Sequence, residues 1–176
     1  MGLVCLLGRH GSGKSTIGAE LVAHGFQHTS VGILRRLAKA SQFPSDVPAA
    51  LMMAMRRERA GSAMSAPTAR KLIDYAGKAP RAVLDGFPSC VEHLALLPAD
   101  TVFCFVWTPS ILRLQRLEHR SDTTKRVWTP GLHSEREAAL PVLLATLRRT
   151  RRCVFVPNSS TPDAAVTDIL GKLAAT

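Results

Sequence analysis

The sequence predicts an α/β protein in which helices cover both faces of a parallel β-sheet. Three observations support this fold class. Short apolar runs bounded by Gly, Pro or polar residues recur along the chain, which is typical of buried strands. Longer segments with helical spacing of apolar residues lie between them. The regular alternation of the two favours parallel strands joined by right-handed helical crossovers.

The predicted elements follow in order along the chain. Strands are predicted at residues 3–7, 26–29, 81–84, 101–107 and 153–156. Helices are predicted at residues 15–24, 30–40, 48–60, 66–76, 109–119, 135–150 and 162–173. Gly25 is a stop signal for the first helix, and Pro109 suits the first turn of the fifth. The segment 121–134 is polar and is predicted to be irregular.

Length and composition limit the class of protein. The 176 residues suit one domain, 1–176, with its own core. No apolar run is long enough to cross a membrane, and no basic segment precedes an apolar run at the N-terminus. We expect no membrane partner and an intracellular, cytoplasmic location, with an organelle matrix as the alternative. The four cysteines form no CxxC pair, so they are predicted to be reduced thiols, mostly buried.

One segment near the N-terminus carries a phosphate-binding pattern. Residues 8–15, GRHGSGKS, match G-x-x-x-x-G-K-S. Glycines let successive backbone N–H groups point at phosphate oxygens, and the following helix adds its positive end. Lys14 can reach the β- and γ-phosphates, and the Ser15 hydroxyl can bind Mg²⁺. A Gly-rich turn is the alternative, but here a predicted strand precedes the segment and a predicted helix follows it. The residues assigned to the triphosphate site are Gly8, Gly11, Ser12, Gly13, Lys14, Ser15 and Thr16.

Asp85 is the second candidate, because it ends a predicted strand just before Gly86. An Asp-Gly turn is the structural alternative. With the phosphate loop present, a carboxylate at the same edge of the sheet is predicted to help Ser15 hold Mg²⁺ or its water.

Asp85 also begins a four-residue motif, Asp-Gly-Phe-Pro, at residues 85–88. With the loop, this motif resembles the D-G-F-P-R signature of the adenylate kinase and nucleoside monophosphate kinase family. Residues 28–35, HTSVGILR, resemble the family's H-x-S-x-G-D-L-L-R segment, and residues 61–73 resemble a helix start of the same family. The spacing of arginines from residue 116 to 126 is similar to that of a short lid. The resemblance implies a P-loop NTPase-like parallel sheet of five strands flanked by helices.

The resemblance also implies an activity and roles for residues. ATP with Mg²⁺ would donate its γ-phosphoryl group to a nucleoside monophosphate, AMP first among them. Residues 30–76 would form a small acceptor-binding helical part, and residues 120–134 a short lid. The implied catalytic residues are Lys14, Arg120, Arg126 and Arg136. Arg116 and Asn158 would join the ATP site. The implied acceptor-binding residues are Ser30, Arg35, Met64, Gly86, Phe87 and His93.

The sequence departs from the family mainly on the acceptor side. Ser89 stands where the signature has arginine, and Ile33 stands where the family has aspartate. His93 replaces the glutamine that in the family contacts the acceptor base. Trp128 and Thr129 stand where two aspartates are usual. Another arginine, at position 56 or 81, could replace the missing phosphate contact.

Two alternatives to a nucleoside monophosphate kinase therefore stay open. The first is a nucleotide-binding subunit with weak activity in a larger, RNA-containing assembly. The formal net charge of +10 and the arginine clusters at 56–59 and 148–152 favour this, although such clusters are usually solvated helix faces. The second is a P-loop kinase for another small metabolite.

Overall fold

The computed structural model describes residues 2–124, 130–150 and 153–175, with side chains for 2–120, 137–150 and 153–175. Its strands are β1 Leu3–Leu7, β2 Gln27–Ser30, β3 Ala82–Asp85, β4 Val102–Trp107 and β5 Cys153–Pro157. Its α-helices are α1 Lys14–Glu20, α2 Val31–Lys39, α3 Ala49–Arg57, α4 Ala66–Ala76, α5 Ser110–Thr124, α6 Pro130–Thr150 and α7 Pro162–Ala174. Two 3-10 helices, Leu21–His24 and Val91–Leu96, complete the described elements.

The five strands form one parallel sheet in the order β2-β3-β1-β4-β5. The predicted fold class is confirmed. β1 is the central strand and is paired on one side with β3 and on the other with β4. The chain therefore reverses its order across the sheet at β1, and the crevice beyond the carboxyl ends of the strands is where such sheets bind ligands.

Side chains of β1 alternate between two apolar layers, as the pleat of a strand requires. Leu3, Cys5 and Leu7 pack with α2, α3, α4 and the second half of α6. Val4 and Leu6 pack with α1 and α7 on the opposite face. A central strand that is apolar on both faces fixes the end of β1, and with it the start of the phosphate loop, inside the sheet.

Two features differ from the sequence predictions or extend them. The segment 121–134, predicted to be irregular, is helical at both ends, because α5 continues to Thr124 and α6 begins at Pro130. Pro130 suits a first helical turn, since that position needs no N–H donor. Residues 125–129 lie outside the described part. The 3-10 helix Val91–Leu96 was not predicted.

The cysteines are free thiols, as predicted. Cys5 and Cys104 are buried, and burial raises the pKa of the Cys5 thiol well above its usual range. Cys90 and Cys153 are only half-buried. Among the helices described, none combines the length and the apolar composition that a membrane crossing needs.

Gly18 lies where α1 packs against β2, and a Cβ there would collide with the His28 ring. We expect Gly18→Ala to lower the free energy of unfolding by about 1–3 kcal/mol, as overpacking does. Gly171→Ala is the matched control, because Gly171 is also helical but has nothing within 4 Å of its Cβ position. There alanine should leave stability unchanged or raise it by up to about 1 kcal/mol.

Urea denaturation of both variants, and of Gly18→Ala combined with His28→Ala, measures the effect. The double variant should regain part of the loss because the ring is gone. Equal stability of Gly18→Ala and Gly171→Ala would contradict the packing argument.

Candidate functional site

A cavity of about 890 Å³ opens at the carboxyl edge of the sheet, above the end of β1. One part of its wall is the phosphate loop and the start of α1, with Gly13, Lys14 and Ser15. The other part is formed by the start of α2 and the turn after β3, with Gly32 and Gly86. The two halves of the predicted site thus share one continuous space.

The phosphate loop connects β1 directly to α1, as predicted. Gly13 precedes the helix with φ 88°, a left-handed conformation that favours glycine. A Cβ at this position would also collide with the Asn158 side chain. The Lys14 ammonium lies over the loop and donates to Arg9 O at 2.7 Å and to Ser12 Oγ at 3.3 Å. Burial lowers the pKa of Lys14, and the charges of Asp85 and Glu137 oppose part of that shift.

The loop is anchored through the backbone carbonyl of Ser12, a residue that is only 1% exposed. Asn158 Nδ2 donates to Ser12 O at 2.8 Å. The Thr108 hydroxyl lies 3.2 Å from the same oxygen and 3.0 Å from Asn158 O, and can donate to either. Asn158 was predicted as an ATP-site residue, and it both lines the cavity and supports the loop. Thr108 was not predicted, because nothing in the sequence ties it to residue 12.

Asp85 lies where predicted, at the end of β3 and next to the loop. Its Oδ2 accepts from the Ser15 hydroxyl and, at 3.0 Å, from the Ser30 hydroxyl. No cluster of three or more His, Cys, Asp or Glu residues that could bind a metal occurs in the described part. Mg²⁺ suits such a site, since it keeps several waters and takes few protein ligands besides substrate phosphates. Ser15 and Asp85 are the residues that would hold it.

Four arginines were predicted around the ATP site and the lid, and the structure describes the side chains of two of them. Arg116 and Arg120 line the cavity, and Arg116 Nη2 donates to Asn158 O at 3.4 Å. Arg126 lies outside the described residues, as do Trp128 and Thr129. The side chain of Arg136 is outside the described part as well.

Four of the predicted acceptor-binding residues do not line the cavity. Arg35 is buried on the inner face of α2 and donates to Ser62 O at 3.1 Å and to Arg59 O at 2.6 Å. Met64, Phe87 and His93 are buried in the wall behind the cavity. The His93 ring stacks on Phe87, with centroids 4.7 Å apart. Of this predicted set, Ser30 and Gly86 line the cavity, as does Ser89.

Both nitrogens of His93 are occupied. Nδ1 accepts from the Ser89 N–H at 3.2 Å, which leaves Nε2 to donate to Met64 O at 2.8 Å. The backbone around the ring therefore already satisfies its hydrogen bonds. The contact between His93 and an acceptor base, implied by the resemblance, stays a prediction, and it would require one of these two hydrogen bonds to break.

Arg36, rather than Arg35, faces the cavity, together with Gly32 and Ile33. The period of α2 explains this, because Val31, Leu34 and Ala38 form the buried face that Arg35 shares. The same period was readable in the sequence and could have distinguished the two arginines. Arg81 cannot replace the missing signature arginine, since it precedes β3 at the opposite edge of the sheet and donates to His24 O. Arg56 does not line the cavity either.

Two further residues near the loop were missed. Glu137 of α6 lines the cavity, and its Oε1 accepts from the His10 N–H at 3.0 Å. Arg113 of α5 is buried and donates to His10 O at 2.7 Å. No motif links these positions in the sequence, because only the packing of α5 and α6 brings them to the loop.

Comparisons with known proteins support the fold. A solved gluconokinase from Sinorhizobium meliloti 1021 has a TM-score of 0.59 to this chain at 19% sequence identity. The match covers 99% of this chain and 92% of the gluconokinase chain. No protein-family model matches the sequence, and no curated protein matches it. The chain therefore shares the fold of this gluconokinase structure over nearly all of its length.

Asn158→Ala removes the main side-chain donor to Ser12 O. We expect the affinity for ATP to fall about tenfold, because losing one buried hydrogen bond costs about 1–3 kcal/mol and loosens the loop. Isothermal titration calorimetry measures the change, with the exposed neighbour Ser160→Ala as control. An unchanged ATP dissociation constant in a folded Asn158→Ala protein would exclude the anchoring role.

His93 makes stability depend on pH. Burial lowers its pKa below the ordinary value of 6.5, and it does the same for His28. The unfolded chain therefore binds more protons than the folded protein as the pH drops below 6.5, so stability falls there. His93→Gln should show a smaller loss of stability between pH 7 and pH 5 than the parent, measured by urea denaturation. The exposed His24→Gln is the control, and an unchanged slope in His93→Gln would contradict this.

Proposed function

We propose that the protein transfers the γ-phosphoryl group of ATP to a small acceptor that already carries a phosphate, a nucleoside monophosphate in the first place. The observation that carries the proposal is the phosphate loop opening into a cavity that extends to the start of α2. The similarity to a gluconokinase structure supports a phosphotransferase of this fold.

The donor half of the site has the chemistry that ATP needs. Lys14 would bind the β- and γ-phosphates, and the first N–H groups of α1 would bind the inner phosphates. Arg116 and Arg120 line the same space. Ser15 and Asp85 would hold Mg²⁺, which would supply positive charge to the phosphates when bound. Asn158 and Thr108 keep the loop in position through Ser12 O.

The cavity favours a phosphate acceptor over an alcohol. A hydroxyl acceptor must lose a proton as it attacks, which calls for a general base beside the acceptor. Among the described residues, the carboxylates that line the cavity are Asp85 and Glu137. Each is already bound through one oxygen to the phosphate-loop side of the site, Asp85 to the Ser15 hydroxyl and Glu137 to the His10 N–H, and Asp85 is assigned to Mg²⁺.

An acceptor phosphate needs no such base, because its attacking oxygen is already ionised. That oxygen would form the new bond to the γ-phosphorus while the bond to the β-bridging oxygen breaks and ADP leaves. Catalysis would then consist of aligning two anions and neutralising their charge. Lys14 and Arg120, with Arg126 and Arg136 from the sequence pattern, are the proposed residues for this.

We assign acceptor binding to the part of the chain from 30 to 76 and to the turn after β3. Ser30, Gly86 and Ser89 offer polar contacts, Ile33 offers an apolar surface, and Arg36 is the α2 cation that lines the same cavity. Arg36 is therefore proposed to take the place of the arginine that is absent at position 89. Residues 120–134 remain the proposed lid, which would exclude water during transfer.

The test is ADP formation from ATP and Mg²⁺ with AMP, CMP, UMP, GMP, dAMP and gluconate, each offered separately. We expect turnover with at least one monophosphate and none with gluconate. Lys14→Met should lower kcat at least about a hundredfold, because it removes a cation from the developing charge. Arg36→Gln should raise the acceptor KM about tenfold, the value of one charge-assisted hydrogen bond, and leave the ATP dissociation constant unchanged.

Arg57→Gln is the matched control for Arg36→Gln, because Arg57 is exposed on α3 away from the cavity. If ADP formed with gluconate and with none of the monophosphates, the acceptor would be an alcohol and the proposed phosphate acceptor would be wrong. ATP binding without turnover, together with retention on single-stranded RNA at low salt, would favour the nucleotide-binding subunit. The net charge of +10 is the observation behind that second candidate.

A further inference from the structure

The two backbone polar groups of His10 in the phosphate loop are held by the two partners of an ion pair. The N–H donates to Glu137 Oε1 at 3.0 Å, and the carbonyl accepts from Arg113 Nη1 at 2.7 Å. The Arg113 guanidinium and the Glu137 carboxylate are 3.7 Å apart. The Glu137 side chain is 25% exposed and faces the cavity, whereas Arg113 is buried.

The Glu137 carboxylate is an anion inside a site whose other groups suit phosphate. It lines the same cavity as Lys14, and its negative charge stabilises the Lys14 ammonium. Lys14 and the loop N–H groups are the donors that a nucleotide's phosphate oxygens require. Since one N–H cannot serve two anions, and since two anions this close repel each other, the carboxylate and a phosphate cannot both occupy this position.

We propose that Glu137 competes with the terminal phosphate of ATP for the His10 N–H, so that ATP binding releases the N-terminal part of α6 from the loop. The terminal phosphate is the competitor because His10 precedes α1 by four residues. The inner phosphate belongs at the start of α1, where the helix dipole acts. The inference rests on the proposed binding of ATP, but it is independent of the acceptor.

The consequence for α6 follows from chain order. Glu137 lies two turns into α6, which begins at Pro130. Loss of the contact between Glu137 and the His10 N–H would therefore free the first two turns of α6 from the loop.

A purely structural role for Glu137 makes the opposite prediction. If the carboxylate only fixed the His10 N–H, its removal would disorder the loop and weaken ATP binding. Arg113 still holds the His10 carbonyl in a Glu137 variant, so the loop keeps one anchor. The sign of the change in ATP affinity therefore separates the two roles.

The experiment measures dissociation constants of ATP and ADP, without acceptor, by isothermal titration calorimetry. Glu137→Gln should bind ATP about threefold to tenfold more tightly than the parent, the size expected from removing one nearby like charge in a partly solvated site. The dissociation constant of ADP should change by less than about twofold in the same variant, because ADP lacks the competing phosphate. Glu118→Gln is the control, since Glu118 is an exposed carboxylate on α5 outside the cavity. Hydrogen exchange of the peptide 130–140 should increase when ATP binds to the parent protein.

Weaker or unchanged ATP binding by Glu137→Gln would overturn the competition. If Glu137→Gln bound ATP and ADP more tightly by the same factor, the competitor would not be the terminal phosphate. If ATP left the hydrogen exchange of residues 130–140 unchanged, α6 would not be released from the loop. If ATP binds as described here but no acceptor is phosphorylated, the proposed transfer fails while this inference stands. If neither the parent nor any variant binds ATP, both fail.

Discussion

The site depends on the hydrogen bonds that hold the Ser12 carbonyl. This oxygen is buried under the phosphate loop, and it receives the Asn158 amide from the end of β5 and lies next to the Thr108 hydroxyl after β4. The loop itself leaves the end of β1. Three neighbouring strands therefore fix one peptide group, and Lys14 and Ser15 follow it within three residues. Any shift of this carbonyl would move both Lys14, which is proposed to bind phosphate, and Ser15, which is proposed to bind Mg²⁺.

The second constraint is the balance of charge inside the cavity. Lys14, Arg36, Arg116 and Arg120 line it, against two carboxylates among the described residues. Each carboxylate has a partner of a different kind. Asp85 accepts from the hydroxyls of Ser15 and Ser30, while Glu137 accepts from a backbone N–H of the loop. The proposed transfer between two phosphate-bearing substrates rests on this excess of cations, because arginine and lysine bind phosphate oxygens.

The residues predicted to bind the acceptor show where inference from sequence patterns succeeds and where it fails. All five strands and all seven α-helices were predictable, because their apolar periodicity and their Gly and Pro boundaries are local signals. The family resemblance led to Arg35 and His93, yet both are satisfied by backbone groups within the wall. Helical periodicity in α2 carried the better information, since it groups Arg35 with the buried Val31 and Leu34 and leaves Arg36 outward.

The phosphate loop, the carboxylate at the end of β3 and the α/β architecture are properties of the amino-acid sequence. They follow from short-range spacing, and strands that are apolar on both faces and alternate with helices are typical of a buried parallel sheet. The support of the loop by Thr108 and Asn158, and its contact with Arg113 and Glu137, were decided by the tertiary structure. These partners are more than ninety residues from the loop along the chain, so only the packing of β4, β5, α5 and α6 brings them to it.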